Sequence, residues 1–447
     1  MEVYDPRYCA DLGDGYIVKW ADEVEAHSYG HLCDVVFRRS ADAPIRNLNA
    51  MQVIDWTDAH PNTSHSDIAV VVDAHDTVVA GAVLLRQTMD YAGNLLQVGR
   101  PELVVCHPEY RNRGFIRHIF TLLHAKSHAR GDALQAITGI PYYYRQFGYA
   151  YAINYDQQRV VPFAKILKHT DGTRSMHLHI AEADTYAAFI ALYDADRLSR
   201  GLLCTTPIER SYFTYLRKQS QAVSTFDPFF LVDEEDQSVL GYVLIYRGNY
   251  DANVCVLGAG LRKDVGWHSM LTPLIHALER HRFNIRITNP AIDALTGVSF
   301  ILDTEHPIYE QLSYGFIYTE TPTYAWYIRV PDYQRLFDAM NPILEARVAH
   351  SSMQGYSGEL IVSCYGQGFT MQWHNGRLLS TRNTRPPMMG EGAHACMPND
   401  TMLMMVFGRK SLSQIQEWHH EAWANHPAAQ LLGILFPTQP SWFLWLN

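Results

Sequence analysis

Two stretches of this chain repeat one order of elements: a β-hairpin, a longer strand and then an amphipathic helix. In the first stretch, β-branched runs at 68–72 and 78–85 flank a group of turn-forming residues. A strand is predicted over 95–107, and over 115–130 the apolar residues recur with helical spacing. This order predicts an antiparallel sheet that leads directly into a helix.

The second stretch repeats the plan, and a third stretch departs from it. Predicted strands at 229–233, 238–246 and 254–261 precede a predicted helix at 270–281, which indicates a duplicated fold. The third stretch is predicted to hold short strands, one helix and an apolar tail, at 359–364, 369–373, 377–380, 412–423 and 431–445.

A chain of 447 residues is too long for one ordinary core. The sequence therefore predicts three domains, at 1–165, 166–330 and 331–447. We expect an α/β (α+β) fold class, with mixed, mostly antiparallel central sheets in the first two domains and a smaller α+β domain at the end.

The composition limits the environment and the partners of the protein. No stretch approaches the roughly 20 apolar residues of a spanning helix, and the start lacks the basic and apolar regions of a signal peptide. We therefore expect a cytoplasmic protein that does not insert into membranes. The net charge of −10 argues against a nucleic-acid partner and mildly favours cationic ones. Seven scattered cysteines without a CxxC pair, and the lack of an HExxH motif, predict no metal site.

The run LVVCHPEYRNRGFIRHIF at 103–120 joins the predicted strand to the predicted helix. Gly114 lets the backbone approach a ligand closely, and the start of a helix presents unpaired N–H groups beside the positive end of the helix dipole. Arg111, Arg113 and Arg117 add positive charge around the same turn. An RxxG match alone is weak, but its place between a strand and a helix predicts a pyrophosphate site.

The same run resembles the acetyl-CoA-binding motif of the Gcn5-related N-acetyltransferases (GNAT), V-x-V on a strand and then (Q/R)xxGx(G/A) at a helix start. Ile116 replaces the last small residue, as in the enhanced intracellular survival (Eis) type of this superfamily. The resemblance implies coenzyme contacts along the strand, at the turn and at a later loop, from Val104, Val105, Cys106, Arg111, Asn112, Arg113, Gly114, Phe115, Ile116, Arg117, Thr138 and Gly139.

A second segment, ITGIPYYYRQFGYAYA at 137–152, resembles the YxxxG(F/Y) segment of the same superfamily. The spacing to Gly148 selects Tyr144, and the resemblance implies that Tyr144 is the general acid. A phenol with a pKa of about 10 keeps its proton at pH 7 and can pass it to a departing thiolate. Backbone N–H groups near Val105 and Cys106 would stabilise the oxygen that becomes negative, if the strand splays there. The alternative interpretation of Tyr144 is packing in an aromatic cluster.

The Eis resemblance extends over the whole chain. It implies that a degenerate second GNAT domain and a sterol-carrier-like domain follow the active one, and that the protein is a homo-oligomer, commonly a hexamer. The helix start LRKDVGWH at 261–268 lacks RxxGxG, so we expect no coenzyme in the second domain. In Eis-type proteins the C-terminal carboxylate reaches the active site, which makes Asn447 a candidate catalytic base.

The predicted function is an acetyl-CoA-dependent N-acetyltransferase that acts on a primary amine, of an aminoglycoside or another polycation. The alternatives are a lipid carrier, suggested by the third domain, and a coenzyme-A-binding sensor without turnover. Other reactive side chains are interpreted as structural. Cys106 is interpreted as a packed thiol rather than an acyl carrier. The histidines of the predicted helix, His118, His124 and His128, are placed on its surface. Met402, Met404 and Met405 are assigned to strand packing.

Overall fold

The computed structural model describes residues 2–38, 47–166, 174–218, 225–249, 251–289, 291–385 and 392–446. In the first unit, the predicted hairpin, strand and helix are present, and two strands and two helices precede them. The strands are β1 (Cys9–Gly13), β2 (Tyr16–Trp20), β3 (Ile68–Val72), β4 (Val78–Tyr91), β5 (Asn94–Cys106), β6 (Leu134–Ile137) and β7 (Ala150–Asn154). The helices are α1 (Glu23–Val36), α2 (Leu48–Asp58) and α3 (Phe115–Ala129).

The second unit repeats the hairpin, strand and helix. Its strands are β8 (Gln157–Pro162), β9 (Met176–Ile180), β10 (Cys204–Thr205), β11 (Phe226–Asp233), β12 (Val239–Tyr246), β13 (Asn253–Leu261), β14 (Gly297–Leu302), β15 (Thr319–Thr321) and β16 (Ala325–Arg329). Its helices are α4 (Tyr186–Ser199), α5 (Arg210–Lys218), α6 (Trp267–His281) and α7 (Pro307–Gly315).

The third unit is a small sheet covered by helices. Its strands are β17 (Gly358–Ser363), β18 (Gly368–His374), β19 (Arg377–Thr384), β20 (Ala395–Cys396) and β21 (Trp423–Ala424). Its helices are α8 (Tyr333–Ala349), α9 (Asn399–Val406), α10 (Leu412–Gln416) and α11 (His426–Leu435). The strand pairs are antiparallel apart from β5–β6, β13–β14 and β17–β20, which confirms the predicted fold class.

The first two sheets exchange a strand across the domain boundary predicted at 165. β16, from the end of the second unit, lies between β6 and β7 of the first sheet. β8, which follows β7 along the chain, lies between β14 and β15 of the second sheet. The domain boundaries at 165 and 330 stay predictions, and the hydrogen-bonded strands of the first two sheets cross the boundary at 165.

The amphipathic helix α3 buries one side against the first sheet. Phe115, Ile119, Leu122 and Leu123 are at most 5% exposed and belong to one core cluster with residues of β2, β3 and β4. Burial of each such side chain is worth about 1.5–3 kcal/mol. This packing fixes the start of α3 beside the end of β5. Among the described residues, no helix is long and apolar enough to cross a membrane.

Two predictions for the third unit are wrong. Met402, Met404 and Met405 lie in the helix α9, not in a strand, because a short apolar run that is buried on every side has no periodicity to separate the two structures. The helix predicted over 412–423 ends at Gln416, since the chain then turns and places Trp423 opposite Cys396 in the sheet.

Candidate active site

Strands β5 and β6 pair only over a short stretch. Their parallel pairing covers Val98 with Leu134 and Gly99 with Gln135, and the strands diverge beyond it. β5 also has a bulge, because Leu103 and Val104 lie between the residues paired with Gly81 and Val83 of β4. Leu103 has φ +47°, and its carbonyl accepts a 2.6 Å hydrogen bond from the Tyr29 hydroxyl. Such a bulge turns the strand away from its neighbour, so β5 has the splay on which the oxyanion prediction depends.

A cavity of about 710 Å³ opens at this splay. Nine of the predicted coenzyme-binding residues line it: Val104, Cys106, Arg111, Asn112, Arg113, Gly114, Phe115, Ile116 and Arg117. The sequence did not indicate the other lining residues, which are Val36, Phe37, Tyr110, Ile140, Tyr143, Gln146 and Phe147. The size is typical of a pocket for a small organic ligand.

The turn before α3 presents backbone N–H groups to the cavity. Asn112 has φ +66°, and Gly114, the N-cap residue of α3, has φ +81°. The hydrogen bond from the Arg117 N–H to the Gly114 carbonyl, 2.9 Å, begins the helix, so the amides before Arg117 have no helical partner. A Cβ at Gly114 would meet nothing within 4 Å. The left-handed backbone, rather than lack of space, therefore favours glycine there.

The three arginines of this turn bring positive charge without a matching carboxylate. Arg113 lies over the rings of Tyr16 and Tyr110, at 5.4 and 5.9 Å. Arg111 contacts the Cys106 carbonyl, and Arg117 contacts the side-chain oxygen of Gln146 at 3.4 Å. Of the described residues that line the cavity, none is Asp or Glu. A ligand with several negative charges fits this field.

Three predicted coenzyme contacts do not line the cavity. Val105 is 2% exposed and packs in the core between α1 and the sheet. Thr138 is half-buried, and Gly139 is exposed beside Tyr144, where a Cβ would lie 3.8 Å from the Tyr144 hydroxyl. Coenzyme contacts from Val105, Thr138 and Gly139 stay predictions.

The three adjacent tyrosines have different surroundings. Tyr142 is 71% exposed and lies under the Arg145 guanidinium, whereas Tyr143 lines the cavity. Tyr144 is 4% exposed, and its ring packs against Phe120, with 5.9 Å between centroids. The Tyr144 hydroxyl has no hydrogen bond to any described residue. Burial, with the nearby negative charge of Glu102, raises the pKa of Tyr144 above its ordinary value, so the phenol stays protonated at neutral pH.

Tyrosines of the exchanged strand hold the loop before Tyr144. The Tyr324 hydroxyl donates to the Gly139 carbonyl at 2.9 Å, and the Tyr327 hydroxyl donates to the Tyr151 hydroxyl at 2.7 Å. Tyr151 in turn accepts from the Tyr142 N–H at 3.0 Å. Sequence reasoning missed this support, because it assigned the chain around 324–329 to the second domain.

Sequence reasoning also missed a charged pair on β5. Glu102, whose side chain is 20% exposed, accepts a hydrogen bond from Arg100, which is 1% exposed. Arg100 also donates to the carbonyl of Leu446 at 3.0 Å. Asn447, the predicted base, lies outside the described residues. The available signal was a pair of opposite charges two residues apart in an otherwise uncharged strand.

Two other side chains near the site have structural surroundings. Cys106 is half-buried, and burial raises the pKa of its thiol, which leaves it neutral at pH 7. The surface placement of His124 is wrong. Its Nε2 lies 3.0 Å from the Tyr149 hydroxyl, and burial lowers its pKa to about 3. His118 and His128 are exposed, as predicted. Over the described ranges, no three metal-ligating side chains are grouped to hold an ion.

A family model matches most of the first unit. Residues 18–152 match the family model of the acetyltransferase (GNAT) domain. The matched range contains both segments that carry the sequence resemblance, and of the first unit it leaves out β1 and the ends of β2 and β7. Among curated proteins, no sequence matches the chain.

Solved structures share the fold over the full length. A GCN5-related N-acetyltransferase from Anabaena variabilis is 12% identical, with a TM-score of 0.65, over 96% of this chain and 99% of that one. A probable N-acyltransferase from Enterococcus faecalis is 13% identical, with a TM-score of 0.66, over 97% and 100%. Eis1 from Mycobacterium abscessus is 12% identical, with a TM-score of 0.55, over 96% and 100%. At these identities the similarity shows the fold, and it includes all three units.

Proposed function

We propose that the GNAT domain transfers an acetyl group from acetyl-CoA directly to a primary amine. One observation carries this proposal: a cavity opens at the bulge of β5, and its described lining contains three arginines and no carboxylate. A phosphate-bearing ligand fits the turn at Gly114, and a chain that extends from it would run along Val104 and Cys106 on β5.

Acetyl-CoA, when bound, supplies the acetyl group and a thiolate as leaving group. The pyrophosphate would be held by the turn amides and by Arg111, Arg113 and Arg117. Backbone N–H groups at the bulge, near Val105 and Cys106, would stabilise the carbonyl oxygen as it becomes negative. The described lining residues carry positive charge from three arginines and no negative charge, which suits a coenzyme with several negative charges.

Tyr144 is the proposed general acid. Its side chain is 4% exposed, and its hydroxyl is protonated and has no hydrogen-bond partner among the described residues, so it is available to donate a proton to the departing sulfur. Tyr143 is the competing assignment, because it lines the cavity directly. The YxxxG spacing and the unpaired hydroxyl both favour Tyr144.

Glu102 is the proposed general base. Its carboxylate lies at the bulge, where the β5–β6 gap opens, and is close enough to act electrostatically on Tyr144. Glu102 would take the proton that the amine loses as the amide forms. The carboxylate of Asn447 is the base implied by family resemblance, and it stays a prediction.

The acceptor is proposed to be an aminoglycoside or another polycationic amine. The net charge of −10 favours the approach of cations, and the fold is shared with Eis1. A cytoplasmic location, assembly into a homo-oligomer such as a hexamer and a sterol-carrier-like third domain complete the proposal on family resemblance.

The deciding experiment follows thiol release from acetyl-CoA with a panel of aminoglycosides, polyamines and lysine peptides. Saturable turnover with at least one amine, and its acetylated product by mass spectrometry, are expected. In parallel, calorimetry measures the binding of coenzyme A to the same protein. Tight coenzyme binding without turnover of any amine would favour a coenzyme-binding sensor. Absence of both coenzyme binding and turnover would refute the proposal.

A further inference from the structure

Arg100 is a fully buried cation at the point where β5 and β6 separate. It follows Gly99, the last residue of β5 that pairs with β6, and it is 1% exposed. A buried guanidinium is costly unless its hydrogen bonds are satisfied. The groups that surround Arg100 therefore indicate what this position requires.

Four separate segments converge on Arg100. One Nη1 bond reaches the side-chain oxygen of Gln87 on β4, 2.6 Å, and another reaches the Leu446 carbonyl, 3.0 Å. Nη2 bonds the Glu102 carboxylate. The Trp326 ring, from the exchanged strand β16, lies under the guanidinium at 5.4 Å. These contacts hold the guanidinium, since the hydrogen bonds use both of its Nη groups and the Trp326 ring packs against its face.

The tail that supplies Leu446 is itself anchored beside Arg100. The Leu444 carbonyl accepts from Gln87 Nε2 and from the Thr206 hydroxyl, both at 2.8 Å. The Leu446 N–H donates to the Gln87 side-chain oxygen at 3.3 Å. Gln87 therefore binds both the tail and Arg100, and the tail forms one wall around the cation.

We infer that Arg100 is a positioning residue that holds the Glu102 carboxylate beside the bulge of β5, where β5 and β6 separate, with the tail of the third unit as its second support. This inference rests on the proposed function, with Glu102 as base. A glutamate in a partly exposed position has several rotamers, and a base must lie within hydrogen-bond reach of the proton that it removes. A charged bond to an immobile guanidinium restricts Glu102 to one orientation.

The test compares Arg100→Lys with Arg197→Lys in the full-length protein. Arg197 is a matched control, because it is also buried, 7% exposed, and its Nη1 bonds Asp90 at 2.6 Å, but it does not contact Glu102. Both variants keep the charge and lose the planar fork. Arg100→Lys is expected to lower kcat by about tenfold or more at unchanged affinity for coenzyme A. Arg197→Lys is expected to lower Tm while kcat stays within about twofold.

A double-mutant cycle with Glu102→Gln separates positioning from general damage. If Arg100 acts through Glu102, Arg100→Lys costs little further kcat once Glu102→Gln is present, whereas independent effects multiply. Multiplicative effects, or a folded Arg100→Lys variant with native kcat, would overturn the inference. If Arg100→Lys does not fold, Gln87→Leu replaces it in the test, because it removes one hydrogen bond to Arg100. This variant must lower kcat by a smaller factor, and that loss must disappear when Glu102→Gln is also present.

The two hypotheses fail differently. A native enzyme that acetylates amines but tolerates Arg100→Lys keeps the proposed function and loses the positioning role. A native protein that binds coenzyme A and acetylates no amine removes the proposed function and, with it, the role assigned to Arg100.

Discussion

Replacement of Tyr144 by phenylalanine removes one oxygen from the centre of the proposed chemistry and little else. The ring contacts with Phe120, Tyr149 and Tyr327, at 5.9, 6.4 and 5.5 Å between centroids, do not involve the hydroxyl. Because no described residue hydrogen-bonds to that hydroxyl, its loss leaves no partner unpaired. The free energy of unfolding is therefore expected to change by less than about 0.5 kcal/mol.

The expected effect on catalysis is much larger. A general acid contributes about 10²- to 10⁴-fold to a rate, which corresponds to roughly 3–5 kcal/mol of transition-state stabilisation. We therefore expect Tyr144→Phe to lower kcat at least about a hundredfold. Affinity for coenzyme A is expected to stay native, since Tyr144 does not line the cavity.

The assay is thiol release at saturating acetyl-CoA with the best amine of the panel, beside calorimetry and thermal unfolding. Tyr143→Phe is the matched control, because it makes the same chemical change one residue away on the cavity wall. A Tyr144→Phe enzyme within about threefold of native kcat would refute the acid assignment. A selective loss in Tyr143→Phe would transfer the role to Tyr143.

The remaining predictions concern the turn, a buried histidine and the exchanged strand. Gly114→Ala places a Cβ at φ +81° and is expected to cost about 1 kcal/mol of stability by denaturant unfolding, with weaker coenzyme binding by calorimetry. Arg113→Ala is expected to weaken coenzyme binding about fivefold and to reduce its dependence on salt, because it removes one uncompensated charge. Burial lowers the pKa of His306 to about 4, so the unfolded chain gains its proton first as the pH falls below about 6.5. The native protein should thus lose about 2 kcal/mol between pH 7 and pH 5 from this group, and His306→Gln should remove that part of the pH dependence in denaturant titrations. A fragment of residues 2–156 lacks β16 and is expected not to bind coenzyme A by calorimetry, and native affinity in the fragment would contradict this.

Local patterns predicted the elements that form the coenzyme side of the site. The helical spacing from Phe115 predicted α3 within one residue of its observed end, and the strand before it gave β5 within one residue at each end. The turn at Gly114 was also predicted, but its glycine was explained by close approach to a ligand, whereas the structure shows a left-handed backbone there, with φ +81°. These features depend on residues close together in the chain.

The contacts that surround Arg100 were not predicted, because they join distant parts of the chain. Arg100 and Leu446 are neighbours only after three units have folded. The strand-like patterns of β8 and β16 indicated strands but not their partners, and pairing follows burial and register in the whole sheet.

The site is thus assembled by all three units, although one alone matches the GNAT family. The second unit supplies Tyr324 and Tyr327, which hold the loop before Tyr144. The third unit supplies Leu446 to Arg100, and Asp400 of α9 forms a 2.5 Å ion pair with Arg145, the residue after Tyr144. Loss of any of these contacts would shift the proposed acid or base rather than remove it. Single substitutions at these contacts are therefore expected to lower kcat more than coenzyme affinity, because none of the contacts involves the turn at Gly114.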